Sequence, residues 1–303
     1  MKPILLTIID GFGIRNEVKG NAAKLANTPN IDELLSKFPN SKLNASGQAV
    51  GLPAGQMGNS EVGHLNIGGG RIVYQPLELI NKAIREKTFF DNTALKSVME
   101  HVKNNNSKLH IFGLLSDGGI HSHINHIFAL MEMAKQNNIE KVYIHAFLDG
   151  RDTLPDKALT YLDELSDKIK ELNIGVLADI SGRYYSMDRE RMWNLTKEYY
   201  DLLVNKKAKV INNYKDYINE SYSKQIYDEF IVPAITDENG NLEENDGLIF
   251  ANFRPDRATQ TFTAITNPEF QEFETTKFKN IKLVTMMPVE KTIISTPAFN
   301  IPE

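Results

Sequence analysis

Leu109-His110-Ile111-Phe112-Gly113-Leu114-Leu115 is a short apolar run, and Ser116-Asp117-Gly118-Gly119-Ile120-His121 follows it without a break. A run of this length, closed by polar and glycine residues, reads as a buried strand that delivers a loop. The same form recurs at 142–148, 175–180, 248–253 and 281–286, and near the start of the chain at 3–9. Helical spacings lie between the runs, such as Leu159, Leu162, Ile169 and Leu172, or Met192, Leu195, Tyr199 and Leu202. Thr28 as N-cap and Pro29 at the first helical position open another helix, with Ile31, Leu34, Leu35 and Phe38 on one face. Strands alternating with helices predict an α/β fold with parallel sheets covered on both faces.

At 303 residues the chain has room for two domains, and 41% hydrophobic with 24% charged residues suits a globular protein. The net charge of −5 argues against a dedicated nucleic-acid binder, which normally carries a basic excess. With no cysteine in the chain, disulfide scaffolds, thiolate zinc sites and cysteine nucleophiles are excluded. The first apolar run is too short for a signal peptide and Asp10 closes it; no run approaches a membrane span. A cytoplasmic globular protein is the expectation. Gly58, Gly63, Gly68, Gly69 and Gly70 interrupt the pattern, and Tyr74-Gln75-Pro76 reads as a hinge, which places a domain boundary between 1–74 and 75–303. The first piece looks like a fraction of a domain. The tail 295–303, with Pro297 and Pro302, reads as a linker, and the chain is expected to be cut from something longer.

In an open parallel sheet, ligands bind beyond the carboxyl ends of the strands. The residues just past successive strand candidates are Asp10; Asp117 and His121; Asp149, Arg151 and Asp152; Arg183 and Arg189; Arg254 and Arg257. One such arginine is ordinarily a solvated surface group. Cations at four successive loop ends point to a pocket for a polyanion, such as a phosphorylated carboxylic acid, because a guanidinium binds phosphate and carboxylate bidentately. Asp152 beside Arg151 would stay ionised among arginines and could accept a hydroxyl proton; a structural salt bridge is the competing reading.

Local motifs are mostly near misses. Gly58-Asn59-Ser60-Glu61-Val62-Gly63-His64 has the look of a helix start with an exposed serine, but Val62 breaks a Gly-x-Ser-x-Gly elbow, and Gly69 stands where a Walker loop needs lysine. Gly11-Phe12-Gly13 followed by Asn16 is not a dinucleotide fingerprint. On residue types alone Ser60 reads as a helix cap. In His121-Ser122-His123-Ile124-Asn125-His126, His123 and His126 share a helix face, so a histidine metal site is one reading; a start-of-helix anion contact by His121 is the simpler one. Asp237-Glu238-Asn239-Gly240-Asn241 imitates a calcium loop, but Leu242 and Leu248 stand where glycine and glutamate are required, so it reads as a hairpin turn.

Six stretches taken in order carry a resemblance: Ile9-Asp10-Gly11-Phe12-Gly13; Gly51-Leu52-Pro53 through His64; Leu115 through His123; Asp149-Gly150-Arg151-Asp152; Ser181-Gly182-Arg183-Tyr184-Tyr185-Ser186-Met187-Asp188-Arg189; and Asn252-Phe253-Arg254-Pro255-Asp256-Arg257. From end to end the chain resembles the cofactor-independent phosphoglycerate mutases, which interconvert 3-phosphoglycerate and 2-phosphoglycerate without bisphosphoglycerate. The resemblance implies an incomplete alkaline-phosphatase-like domain and an inserted transferase domain. It implies Ser60 as nucleophile through a phosphoserine, and Asp10 and Ser60 as ligands of two manganese ions whose other ligands this chain lacks. His121, Arg254 and Arg257 would bind the phosphoryl group; Arg151, Asp152, Arg183 and Arg189 would hold glycerate, with Asp152 moving the hydroxyl proton. The complete enzyme is expected to be a monomer in glycolysis and gluconeogenesis. A non-catalytic phosphoglycerate-binding fragment and a related phosphomutase of the alkaline phosphatase superfamily are the alternatives.

Overall fold

A computed structural model of the chain describes residues 3–257 and 259–300. The chain divides into two compact units, Met1–Glu78 and Leu79–Glu303. The α/β class holds, and the sheet belongs to the second unit. Its strands are β1 (Leu109–Leu114), β2 (Val142–Leu148), β3 (Val176–Gly182), β4 (Lys209–Val210), β5 (Ala234–Ile235), β6 (Gly247–Phe250), β7 (Lys282–Thr285) and β8 (Thr296–Pro297). They lie in the order β4-β5-β3-β2-β1-β6-β7-β8, parallel throughout except where β5 meets β3. All six residues of β1 are buried, as expected of a central strand covered on both faces. Phe112, Phe147 and Phe250 pack from three neighbouring strands into one core, and Phe262 of the helix Thr259–Thr266 closes on Phe250 at 4.7 Å between ring centroids. Each fully buried side chain of this kind contributes roughly 1.5–3 kcal/mol of transfer free energy.

A chain of ionisable groups also crosses this core. Asp246, just before β6, accepts from or shares a proton with His110 Nε2 at 3.0 Å; His110 Nδ1 meets His145 Nε2 at 2.9 Å; His145 Nδ1 contacts Asp179, and Tyr199 donates to the same carboxylate at 3.2 Å. Both imidazoles are fully buried.

Three expectations are corrected. Residues 3–9 form no strand, and Ile4, Leu5 and Leu6 are 97%, 89% and 69% exposed. The described residues of the first unit contain no other strand with which this segment could pair, so its apolar character finds no sheet. Residues 237–241 are not a hairpin turn: a 3-10 turn, Glu238–Gly240, links β5 to β6, which are not neighbours. The tail 295–303, expected as a linker, contributes β8 at the sheet edge, with Ala298 N donating to Thr285 O at 2.8 Å; Pro302 lies outside the described residues. Among the described residues no helix is long and apolar enough to cross a membrane.

Candidate functional site

In the first unit the helix Ser60–Gly69 begins at an Asn59 cap, whose side chain accepts from Val62 N at 3.0 Å. Gly58 is needed there, since a Cβ would fall 1.8 Å from Ala45 O. Because Asn59 does the capping, the exposed Ser60 hydroxyl is free for another partner and donates to Asp10 Oδ2 at 2.7 Å. His64, one helical turn on, donates from Nδ1 to Ser60 O at 2.8 Å and lies 3.3 Å from Ser60 Oγ. Asp10 and Ser60 thus offer two adjacent oxygens of the kind a hard divalent cation takes. Among the described residues no set of three or more His, Cys, Asp or Glu side chains is grouped to hold a metal ion.

In the second unit the loops after β1, β2, β3 and β6 bring most of the sequence-derived residues together. Arg183 opens a single helical turn directly after β3 and is 2% exposed. Its Nη1 donates to Asp149 Oδ1 at 2.7 Å and to Asp152 Oδ2 at 2.9 Å, while Nε and Nη2 are buried without a hydrogen-bond partner. Asp149 also accepts from Ser116 Oγ at 2.6 Å and from the backbone N–H groups of Arg151 and Asp152. Burial alone would raise the Asp149 carboxyl, but Ser116, the two N–H donors and Arg183 outweigh it and hold the group below its ordinary value.

His121 stands between two carboxylates, with Nε2 3.8 Å from Asp152 Oδ2 and Nδ1 3.6 Å from Asp256 Oδ1. Burial first, then the Arg183 charge, lowers it to about 4 against the opposing pull of Asp152 and Asp256, so it is neutral at neutral pH. Its carbonyl accepts from Phe253 N and Arg254 N, which ties the loop after β1 to the loop after β6. Arg254 and Arg189 both reach Asp256, and Arg257 Nη1 donates to Met187 O at 3.3 Å. Burial and then the charges of Arg183, Arg189 and Arg151 depress the Arg257 guanidinium, the signature of cations crowded together. Arg151 is 54% exposed and reaches out to Glu229 Oε1 at 3.4 Å. Gly150, at φ +68°, permits this approach, since a Cβ would lie 2.9 Å from Asp228 Cβ.

The family described as the BPG-independent PGAM N-terminus matches residues 80–291. The chain belongs to this family. It is similar, at 49% identity over 98% of its length, to a 2,3-bisphosphoglycerate-independent phosphoglycerate mutase of Listeria monocytogenes serotype 4b, and at 48% to one of Listeria innocua serovar 6a. It spans 59% of the length of each of these relatives. A crystal structure of Leishmania mexicana phosphoglycerate mutase at low cobalt concentration superposes with a TM-score of 0.74 at 27% identity, covering 92% of this chain and 54% of that one.

In this PGAM N-terminal chain His123 and His126 are structural in their contacts. His123 caps the helix Ile124–Gln136, accepting from Asn125 N, so His121 lies in the loop before that helix rather than at its start. His126 is fully buried, and its Nε2 donates to Asn81 Oδ1 at 2.8 Å. Asp188, not Arg189, serves the start of the helix Trp193–Asn205, accepting from Met192 N at 2.8 Å, while Arg189 reaches Asp256. Sequence reading missed His64, Glu229 and Asp256. The i, i+4 spacing from Ser60 was the available signal for His64; for Asp256 it was an acid flanked by two arginines.

Proposed function

We propose that the chain carries the phosphoserine-forming and glycerate-holding residues of a 2,3-bisphosphoglycerate-independent phosphoglycerate mutase, an isomerase acting in the cytoplasm, in glycolysis and gluconeogenesis, and monomeric when complete. The observation that carries this reading is Arg183: a buried guanidinium anchored by two carboxylates on one nitrogen, with two further nitrogens unpaired, amid Arg151, Arg189, Arg254, Arg257 and His121. A clamp of that composition suits a substrate with a phosphoryl and a carboxylate group.

In this reading Ser60 Oγ loses its proton and attacks the phosphorus of 3-phosphoglycerate, the bond to the 3-oxygen breaks, and that oxygen takes up one proton in exchange for the one Ser60 gave up. His121, Arg254 and Arg257 hold the phosphoryl group. Arg151, Arg183 and Arg189 hold the glycerate. The 2-hydroxyl then attacks the phosphoserine while Asp152 accepts its proton, the bond to Ser60 Oγ breaks, Ser60 takes up one proton in exchange for the one Asp152 gives up, and 2-phosphoglycerate forms. Asp10 takes the Ser60 hydroxyl proton's hydrogen bond, and the helix N-terminus at Ser60 favours negative charge on its oxygen. Asp10 and Ser60 would hold part of a manganese site, and the metal when bound would supply the Lewis acidity that makes a serine alkoxide accessible at neutral pH.

A second reading, a chain that binds phosphoglycerate without turning it over, is favoured because no three His, Cys, Asp or Glu side chains among the described residues are grouped to hold a metal ion. Calorimetric titration of the 303-residue chain with 3-phosphoglycerate, beside a mutase assay in excess manganese, tests both. Saturable binding that weakens at least about tenfold in Arg257→Gln, the loss of one charge-assisted anion contact, supports the site. Binding unaffected by that change sinks it, and turnover in the assay decides between the two readings.

A further inference from the structure

Asp256 touches three of the groups assigned to the substrate. Its Oδ2 accepts from Arg189 Nη1 at 3.0 Å, its Oδ1 lies 3.0 Å from Arg254 Nε, and the same Oδ1 faces His121 Nδ1 at 3.6 Å. These partners come from the loops after β1, β3 and β6, so one internal carboxylate stands where three anion-binding groups converge. Oδ1 is buried yet makes no well-aligned hydrogen bond, and neither does His121 Nδ1. The ion pairs fall into two kinds. The side chains of Arg183 and Asp149 are each 1% exposed and sealed, whereas those of Asp256, Arg189 and Arg254 are 32%, 41% and 48% exposed and open to exchange.

We propose that Asp256 is an internal counter-anion, which holds Arg189 and Arg254 in place in the free protein and is displaced from at least one of them by an incoming anionic group. The inference rests on reading Arg189 and Arg254 as substrate ligands. Without Asp256 the crowded arginines would repel one another, so the carboxylate preorganises them at the cost of competing with the ligand. A ligand with one anionic group replaces one set of contacts and gains little. A ligand with two, such as a phosphorylated carboxylic acid, engages further arginines and overcomes the competitor. Asp256 is therefore a positioning residue that favours doubly anionic ligands over inorganic phosphate.

The test is calorimetric titration of the full chain with inorganic phosphate and with 3-phosphoglycerate, for the wild type, Asp256→Asn, Asp256→Glu and Arg254→Gln. Asp256→Asn is expected to tighten phosphate binding about three- to tenfold, the scale of a partly exposed charge pair, and 3-phosphoglycerate binding by less. Asp256→Glu, which restores the charge, should return phosphate affinity towards wild type; loss of a merely structural contact would weaken binding instead. If Asp256→Asn lowers the melting temperature, Asp256→Ser is read in its place. Unchanged or weaker phosphate binding on removing the carboxylate, including no binding by wild type and variant alike, overturns the proposal. Arg254→Gln separates the two levels: if it leaves phosphate binding intact, the arginine-site reading falls and this inference with it. If it weakens binding while Asp256→Asn fails to tighten it, only the counter-anion is refuted.

Discussion

Nη1 of Arg183 bridges two carboxylates that would otherwise stand side by side in a pocket almost closed to water. Replacing Arg183 with methionine keeps much of the volume and removes the charge, leaving Asp149 buried with its hydrogen bonds from Ser116 and two N–H groups but no cation beside it. Breaking a buried pair in this way costs about 3–5 kcal/mol, far more than an exposed pair such as Arg151 with Glu229. Urea unfolding of Arg183→Met should show that loss, while Arg151→Met should stay within about 1 kcal/mol of wild type. A loss below about 1 kcal/mol for Arg183→Met would mean that the carboxylates find another partner. Sequence position identified Arg183 as a strand-end cation but said nothing of its burial, because that depends on Asp149 and Asp152 reaching it across neighbouring loops. Asp256 was illegible for the same reason, and Ser60 looked like a cap because the cap preference does not tell Asn59 from Ser60.

The helix Ala158–Leu172 has no side-chain cap of its own; its N-terminus is served from a distance. Asp228, 1% exposed, accepts from Lys157 N and Ala158 N at 2.8 Å each, and Tyr222 donates to its other oxygen. Asp228→Ala should cost about 1–3 kcal/mol, the penalty for orphaning buried donors, and should raise amide exchange in the first turn of this helix before any other. Uniform exchange across the unit would show that Asp228 is not the cap. Elements of this kind were read unevenly. The central strands β1, β2 and β3 were legible because strands covered on both faces are mostly apolar, even with His110, His145 and Asp179 among them. The two-residue strands β4, β5 and β8 left no such trace, and the apolar run 3–9 was misread because such a run reports a wish for burial, not a pairing partner.

Across the whole chain, stability should follow the buried imidazoles in acid. Burial, the largest influence in each case, lowers His110 and His121 to about 4 and His126 to about 3, from an ordinary 6.5. Between those values the unfolded chain takes up protons that the folded one refuses. The stabilisation is therefore complete above about 6.5 and is lost progressively as pH falls towards 4, each group contributing up to about 1.4 kcal/mol per pH unit. Asp228, pushed up to about 6 by burial, acts in the opposite direction over part of that window, one proton against three. Urea unfolding free energies at pH 7 and pH 5 should fall on acidification, and His126→Gln should shrink the difference; an unchanged difference would mean that His126 is charged in the fold. The chain of side chains running from Asp246 through His110 and His145 to Asp179 carries a further consequence. A proton held across any of its three links sits between two buried side chains, whichever atom bears it. All four groups are at most 2% exposed at the side chain, which keeps such protons out of rapid trade with bulk water. They should stand apart in a proton magnetic resonance spectrum as sharp lines far downfield of the amides, a marker of the intact sheet that needs no ligand and no assay.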